Sequence, residues 1–318
     1  MTAPVITRLE GAVASPAPAR SAVRDRGGMA RRRRRTGILL VLPAVAMLVT
    51  FFIWPLMRTV AMSTYTWPLL GNRAFTGLAN YVEAFQDQAF LRAVGFTLVY
   101  TAVVTPVLLV VGFALVLLIQ RRTRTARVFQ SVFFLPVVVG LASASYLFLF
   151  MWQPVIGPTM TALAGLGLVD VSTNMFGGPV TAFLVVVSMV AWKSAGLQML
   201  LLLSGFQSIP QEVNEAAEVD GSTRWQRFVY ITLPLLRPTL ALVLVFSVAG
   251  SLLAFDQFYI MTAGGPDNGT ITAVYEIYRS SFIRLDLGYG AALSIILMVV
   301  LGLVSAAQML LLRNSDHA

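Results

Sequence analysis

The most regular feature of the sequence is a series of six long apolar runs separated by shorter polar segments. Each run is about as long as the roughly 20 residues that an α-helix needs to cross the hydrocarbon core of a bilayer. We place them near residues 38–58, 94–119, 128–151, 179–205, 238–261 and 287–312. The pattern predicts an all-α integral membrane protein with six transmembrane helices.

The composition agrees with this prediction. Of the 318 residues, 57% are hydrophobic and 12% are charged, whereas a soluble domain carries roughly 25% charged residues. The chain therefore has too little polar surface to cover a soluble globule. A net charge of +9 could suggest a nucleic-acid partner, but the arginines follow membrane topology, so we expect no such partner.

The two ends of the chain differ from the apolar part. Residues 1–36 are rich in Ala, Pro and Arg and end in the basic run Arg31 to Arg35, so we expect a disordered cytoplasmic tail. The tail either anchors on anionic lipid or only fixes the topology. The first apolar run is too long for a signal peptide. The predicted organisation is this tail, a six-helix membrane domain over 37–313, and a short cytoplasmic tail over 314–318.

The basic residues are distributed unevenly between the two sides of the membrane. With the N-terminus inside, the cytoplasmic segments hold nine arginines in the tail and four in the loop 120–127. Three more lie in the segment 206–237, called the polar loop below, and Arg313 follows the last run. Because basic residues accumulate on the cytoplasmic side, both termini are predicted to be cytoplasmic.

The residue inventory excludes several kinds of chemistry. The chain has no cysteine, and its one histidine, His317, lies near the C-terminus, so thiolate chemistry is excluded and histidine-based metal sites are not expected. A Walker A loop needs Gly-Lys-Ser/Thr after a Gly-rich turn, but the only lysine, Lys193, follows Trp192. We therefore expect no metal, no cofactor and no ATP hydrolysis by this chain.

The polar loop joins the fourth and fifth apolar runs and carries helix signals of its own. Ser208 is placed to cap a first helix, and Gly221 is placed for the left-handed conformation that ends it. Ser222 can cap a second helix, which Leu233-Pro234 ends before the fifth run begins. The loop is thus predicted to be a helix–turn–helix on the cytoplasmic side.

The spacing within the polar loop resembles the EAA loop of permease subunits in bacterial binding-protein-dependent ABC importers. Glu215-Ala216-Ala217 is followed, after three intervening residues, by Gly221 and then, after nine more, by the sequence Ile-Thr-Leu-Pro at 231–234. The likeness extends to the maltose-type sugar permeases through the segments 77–81, 207–212, 232–238 and 261–266. The alternative interpretation is an ordinary amphipathic connector lying on the membrane.

The resemblance implies that the polar loop inserts into a cleft on a separate ATP-binding subunit and passes its closing motion to the spans. The residues it assigns to this coupling are Glu215, Ala216, Ala217, Asp220 and Gly221. It further implies a second permease subunit in a heterodimer, two copies of the ATP-binding subunit, and an extracytoplasmic solute-binding protein. The implied location is the inner (cytoplasmic) membrane of a bacterium.

Polar residues inside the apolar runs are candidates for a substrate path. Lys193 lies near the middle of the fourth run, where a charge costs at least about 2.5–3.5 kcal/mol, so we expect it to face a water-filled cavity, a carbonyl or an acid. Asp256, Gln257 and Tyr259 form a polar cluster in the fifth run that suits a sugar. For straight helices, Lys193 and Asp256 differ in depth by about 9 Å, which argues against a direct pair. The alternative for Lys193 is structural satisfaction within the subunit or its partner. The alternatives for the cluster are aromatic-belt packing and helix–helix hydrogen bonding.

The outer loops contain one dense turn signal, Gly264-Gly265-Pro266-Asp267. These four residues are candidates for contact with the solute-binding protein. We expect the chain to be a permease subunit, not an enzyme, that moves a carbohydrate-class solute without chemistry on it.

Two other functional classes compete with this hypothesis. An ion-coupled secondary transporter of a polar solute needs intramembrane carboxylates or broken helices, and Asp256 is one candidate acid. A membrane enzyme is disfavoured, because no nucleophile–base pair or paired carboxylates stand out. Disaccharides, oligosaccharides, polyols and glycerol phosphates all fit the importer equally.

Overall fold

The computed structural model describes residues 37, 39–69, 71–119 and 123–313, with side chains to residue 310. These residues fall into two compact units that meet in sequence between Arg58 and Thr59. The predicted tails 1–36 and 314–318 lie outside the described residues.

The described part of the chain is built almost entirely from helices. Before the polar loop they are α1 (Leu39–Met62), α2 (Ala79–Gln86), α3 (Gln88–Ile119), α4 (Arg124–Val138), α5 (Leu141–Met151), α6 (Pro158–Gly165) and α7 (Pro179–Ser208). From the polar loop onward they are α8 (Gln211–Val219), α9 (Arg224–Leu235), α10 (Arg237–Leu252), α11 (Asp256–Met261), α12 (Ala273–Tyr278) and α13 (Leu287–Arg313). Three stretches are π-helical: Val49–Ile53, Phe228–Thr232 and Arg279–Ile283.

A small hairpin is the exception to the predicted all-α fold. Strand β1 (Tyr65–Thr66) pairs antiparallel with β2 (Ala74–Phe75). The side-chain amide of Asn80 donates to the carbonyl oxygens of Ser63 and Tyr65, each at 2.9 Å. The start of α2 therefore holds the hairpin in place.

Four of the described helices, α1, α3, α7 and α13, are each long and apolar enough to cross a membrane. Two further pairs qualify only when their members are taken together, because α4 and α5 meet at 96° and α9 and α10 at 71°. Counting each bent pair as one span gives up to six, which agrees in number with the apolar runs. The third predicted helix is thus broken, not continuous.

The break between α4 and α5 follows from Pro136 and Gly140. A proline inside a helix removes one backbone hydrogen bond and crowds the preceding turn, and Val139 and Gly140 are extended, with ψ of 130° and 143°. The carbonyl of Val137, left without its usual helical donor, instead accepts a hydrogen bond from Lys193 Nζ at 3.4 Å. The lysine ammonium thus supplies a donor to a carbonyl at the break, and the carbonyl supplies an acceptor to the lysine.

The fifth predicted span, residues 238–261, was also expected to be one helix, and this is wrong. Helix α10 ends at Leu252, and α11 begins again at Asp256. Thr272 Oγ1 donates to the carbonyl of Ala254 at 2.6 Å. Non-helical backbone at membrane depth requires protein partners for its polar groups, and this threonine is one.

The core is centred on the contact between α3 and α7, against which α4, α10 and α12 also pack. One apolar cluster includes Tyr100, Met189 and Phe258, and a second includes Met199 and Val243. Helices α7 and α4 approach closely at Gly196, where an added Cβ would lie 2.2 Å from the carbonyl oxygen of Phe133. Glycine is therefore required there by backbone contact between α7 and α4.

Candidate functional site

The polar loop consists of α8, a tight turn at Gly221, and α9. The Gly221 N–H donates to the Glu218 carbonyl at 3.1 Å, and the Ser222 N–H donates to the Ala217 carbonyl at 3.1 Å. These two bonds form a Schellman motif, in which the residue after the helix takes a left-handed conformation. Gly221 has φ of 75°, so the predicted role of this glycine is confirmed.

The capping residues differ from the predicted ones. Ser208 belongs to the end of α7 and donates its hydroxyl to Gly205, while α8 starts after Pro210 with no side-chain cap. The cap of α9 is Thr223, whose hydroxyl accepts from the Gln226 N–H, while the Gln226 side chain accepts from the Thr223 N–H. Ser222 instead donates to the Ala217 carbonyl. The predicted caps Ser208 and Ser222 were wrong because both hydroxyls turn back to the preceding helix.

Most of the residues assigned to coupling are exposed on the surface of the chain. Glu215, Ala216, Asp220 and Gly221 are exposed, whereas Ala217 is buried. Glu215 accepts a hydrogen bond from Gln211 at 2.7 Å. The exposed members form one continuous surface along α8 and its turn, and Ala217 packs the loop from within.

An ion pair and an aromatic contact hold the second helix of the loop. Arg227 pairs with Glu218 across the Gly221 turn at 3.0 Å. The Phe228 ring lies 6.1 Å from the ring of Phe113 on α3. This ring contact links the polar loop to α3.

Helix α9 continues through Pro234, where the sequence predicted its end. Pro234 lies in the first turn of a short α-helical stretch that follows the π-helical turn Phe228–Thr232, a position that needs no N–H donor. The bend falls at Leu236, which is fully buried, next to the contact between Gly205 and Thr239. The loop is thus joined to α10 through a packed corner.

A cavity of about 240 Å³ lies between α3, α7 and α10. Its polar lining includes Tyr100, Lys193, Gln198, Ser247, Ser251 and Gln257. Val190, Lys193, Ser194, Leu197 and Gln198 share one face of α7, because residues three, four and seven positions apart lie above one another. The sequence predicted a polar site around Lys193, and this cavity contains that residue.

Of the three environments predicted for Lys193, the structure shows two, a cavity and a carbonyl. It lines the 240 Å³ cavity and donates to Val137. Among the ion pairs of the described residues, none involves Lys193. The expected lack of a direct pair with Asp256 agrees with this arrangement.

The predicted polar cluster Asp256, Gln257 and Tyr259 does not converge. Gln257 is buried, lines the cavity and donates to the Tyr100 hydroxyl at 3.3 Å. Tyr259 lies instead in an aromatic group with Phe255, whose ring is 5.2 Å away, and Asp256 does not line the cavity. The three side chains diverge because neighbouring residues of a helix point about 100° apart.

Sequence reasoning missed Gln198 and Tyr100. Gln198 donates to the Ser247 hydroxyl at 2.7 Å, which bridges α7 and α10 across the cavity wall. The available signal was its position four residues after Ser194, the neighbour of Lys193, because residues four apart lie on one face of a helix. Tyr100 carries no comparable local signal.

The loop that contains Gly264, Gly265, Pro266 and Asp267 is folded by threonine contacts. Thr270 Oγ1 donates to the Gly265 carbonyl at 2.7 Å. Gly264 has φ of 81° and Asp267 φ of 53°. The loop is therefore a defined turn that presents Asp267 at the surface.

A second cavity of about 510 Å³ adjoins this loop. It is lined by Asp267, Asn268 and, from the helices, Arg92, Glu276 and Arg279. Glu276 is fully buried and pairs with both Arg279 and Arg284. This buried network was not predicted, although Glu276 and Arg279 stand at a spacing of three that favours helical ion pairs.

Within the part of the chain that the structure describes, no group of three or more His, Cys, Asp or Glu residues could hold a metal ion. The site thus consists of an exposed helical loop and a cavity lined by both polar and apolar side chains. Such an arrangement suits docking and passage of a solute.

Comparison with known proteins gives three kinds of likeness. Residues 124–314 match the family described as "Binding-protein-dependent transport system inner membrane component". The sn-glycerol-3-phosphate transport system permease protein UgpA of Yersinia pestis is 36% identical over 270 residues, covering 83% of this chain and 90% of the relative. The multiple sugar-binding transport system permease protein MsmF of Streptococcus mutans is 31% identical over 281 residues, covering 87% and 94%.

The fold is also found in a solved structure, a bacterial alginate ABC transporter in complex with an alginate pentasaccharide-bound periplasmic protein. One of its chains superposes with a TM-score of 0.75 at 21% identity, covering 91% of this chain and 95% of that chain. This likeness concerns the fold alone.

Proposed function

Because this chain belongs to the family of inner membrane components of binding-protein-dependent transport systems, we propose that it carries a carbohydrate-class solute across the membrane as one permease subunit of an ATP-driven importer. The names of the relatives, which refer to glycerol 3-phosphate and to multiple sugars, support this solute class. The permease does no chemistry on the solute.

The observation that carries the proposal is the polar loop. Its first helix exposes Glu215, Ala216 and Asp220 beside a turn fixed by Gly221. Its second helix is packed against α3 through Phe228 and joined to α10. A separate subunit that binds α8 can therefore move the helices that enclose the cavity.

The proposed topology has six spans with both termini in the cytoplasm. The spans are α1, α3, the pair α4 and α5, α7, the pair α9 and α10, and α13. The excess of arginine in the tail, in the loop 120–127 and in the polar loop supports this orientation. It places α8 on the cytoplasmic side and the loop 262–286 outside, with 37–313 as one permease domain.

The proposed partners follow from this orientation. Two copies of a cytoplasmic ATP-binding subunit dock on the polar loops of this chain and of a second permease subunit. An extracytoplasmic binding protein delivers the solute to the outer loops, where the turn Gly264 to Asp267 is the proposed contact. ATP hydrolysis takes place in the separate subunits, because this sequence has no Walker A loop.

The proposed transport mechanism is alternating access around the 240 Å³ cavity. Lys193 and Gln257 lie in its lining and are assigned to the substrate path. Asp256 and Tyr259 lie on the same helix as Gln257, α11, but are not part of the cavity lining. Closure of the ATP-binding subunits on α8 opens the cavity outward, and hydrolysis returns it to the inward-open form.

Uptake by the reconstituted complex tests the proposal. We expect proteoliposomes that contain this chain, its partner permease and the ATP-binding subunits to accumulate the solute of the cognate binding protein only when ATP and that binding protein are both present. Omitting either one, or this chain, is the control. Accumulation that persists without ATP, or that follows an imposed ion gradient, would contradict an ATP-driven importer.

A further inference from the structure

The described lining of the 240 Å³ cavity contains a positively charged residue and no negatively charged one. Lys193 is half-buried in it, and the lining residues that the structure describes include no aspartate or glutamate. A lysine ammonium has three donors and no acceptor, and the long contact to Val137 uses one of them. The cavity therefore offers at least one cationic donor without a matching anion.

The same lining contains two amide groups with unused acceptors. Gln198 and Gln257 are 4% and 3% exposed, and the Oε1 atom of each has no hydrogen-bond partner. Their Nε2 atoms are already engaged, by Ser247 and by Tyr100. A buried polar atom without a partner costs roughly 1–3 kcal/mol. Neither oxygen is accessible in this conformation, so a rotation of each amide toward a solute hydroxyl would recover that cost.

The geometry of α7 sets the scale of the ligand. Lys193 and Gln198 both line the cavity and are five residues apart on α7, which corresponds to about 7.5 Å along the helix axis. The cavity, at about 240 Å³, lies below the roughly 300–1,000 Å³ of pockets that enclose drug-sized ligands. It fits one small unit, not several linked ones.

We propose that this cavity selects a small polyhydroxylated unit that carries an anionic group. Lys193 pairs with the anionic group, while Gln198 and Gln257 accept hydrogen bonds from the hydroxyls. This inference rests on the proposed function and narrows its solute class from carbohydrates in general to acidic ones, such as sugar phosphates or uronates.

The test uses three probes that share a pyranose ring: glucose, glucose 6-phosphate and glucuronate. Their equilibrium binding is measured on the purified complex of this chain with its partner subunits, without nucleotide, in phosphatidylcholine nanodiscs. We expect both anions to bind at least about tenfold more tightly than glucose, a difference of about 1.4 kcal/mol. We expect Lys193→Met to reduce this preference to less than about twofold and Lys193→Arg to retain most of it.

Two further variants keep the test decisive. Arg73→Gln removes an exposed positive charge that lies over Trp67, away from the cavity, and should leave the preference intact. Gln257→Glu adds a negative charge to the lining and should weaken binding of both anions by at least about tenfold, with glucose little affected. If Lys193→Met does not yield folded protein, Gln257→Glu still tests whether the cavity binds the anionic group.

Several outcomes would overturn the inference. They are equal binding of glucose and the anions, a preference that survives Lys193→Met, or no binding of any probe. Anion binding at least about tenfold weaker in phosphatidylglycerol nanodiscs would instead assign the site to a lipid headgroup. Binding of glucose without charge preference would leave the importer function standing, since ATP-driven uptake tests that separately.

Discussion

Replacing Glu215 with lysine is expected to lower ATP-driven uptake by at least about tenfold while the protein still folds and inserts. Glu215 is exposed on α8 and accepts a hydrogen bond from the Gln211 side chain, so the change in folding stability should stay within about 0.5 kcal/mol. A charge-assisted hydrogen bond to a basic residue of a partner contributes about 1.5–3 kcal/mol, and reversing the charge replaces it with repulsion. Uptake and ATPase activity are measured on the same proteoliposomes.

The matched control is Glu83→Lys. Glu83 is also exposed, but it lies on α2, in the segment assigned to the outer side. We expect this variant to co-purify with the ATP-binding subunit as the wild type does. Full uptake by Glu215→Lys, or equal loss of the ATP-binding subunit in both variants, would contradict docking on α8.

Gly221→Asp tests the same surface through the backbone. Gly221 has φ of 75°, and a Cβ there would meet no atom within 4 Å, so the cost is conformational, about 1 kcal/mol. The new carboxylate also lies next to Asp220. We expect α8 to lose its fixed end and uptake to fall with the spans still inserted.

Replacing Gly196 with alanine is expected to have the largest effect on folding. The added Cβ would lie 2.2 Å from the Phe133 carbonyl oxygen and 2.8 Å from the Phe134 Cα. Both atoms belong to the backbone of α4, so no side chain can rotate away and α4 must move as a whole. Overpacking of this kind costs about 1–3 kcal/mol or more, and the yield of monodisperse protein and its thermal unfolding midpoint should both fall.

The control for Gly196→Ala is Gly95→Ala on α3. A Cβ at Gly95 meets nothing within 4 Å, and alanine favours the helix over glycine by up to about 1 kcal/mol. We expect its unfolding midpoint to be unchanged or slightly higher. Equal midpoints for the two variants would show that α7 and α4 are not in backbone contact.

The positions of the spans could be predicted from apolar length, but their breaks could not. Three prolines make the reason clear. Pro106 lies inside the continuous helix α3, and Pro234 lies within α9, whereas Pro136 precedes a 96° bend. Where the helix does break, the carbonyls at its end need other donors, and at Val137 the donor is a lysine 56 residues away in sequence.

The substrate-path prediction grouped residues that do not share a helical face. Neighbouring residues of a helix point about 100° apart, so closeness in sequence did not bring Asp256, Gln257 and Tyr259 together. The restart at Asp256 instead turns Gln257 inward and leaves Tyr259 in the aromatic group. The tertiary contact from Thr272 to Ala254 that stabilises the break has no local signal in the sequence.

The polar loop was predicted more closely because its determinants are local. A left-handed residue after a helix strongly favours glycine, and Gly221 supplies it. The second cap was assigned to Ser222 although Thr223 has Gln three residues later, the pattern of a capping box. That signal was present in the sequence and should have decided between the two hydroxyls.

Docking of the polar loop on the ATP-binding subunit is the central claim, and cross-linking tests it most directly. The chain has no native cysteine, so Ala216→Cys gives a single thiol on the exposed side of α8. Leu166→Cys, exposed after α6 in the segment assigned to the outer side, is the control. We predict that a short bifunctional thiol reagent joins Ala216→Cys, and not Leu166→Cys, to a cysteine introduced in the docking cleft of the ATP-binding subunit in the assembled complex. An adduct from Leu166→Cys alone, or none from Ala216→Cys in a complex that still transports, would contradict it.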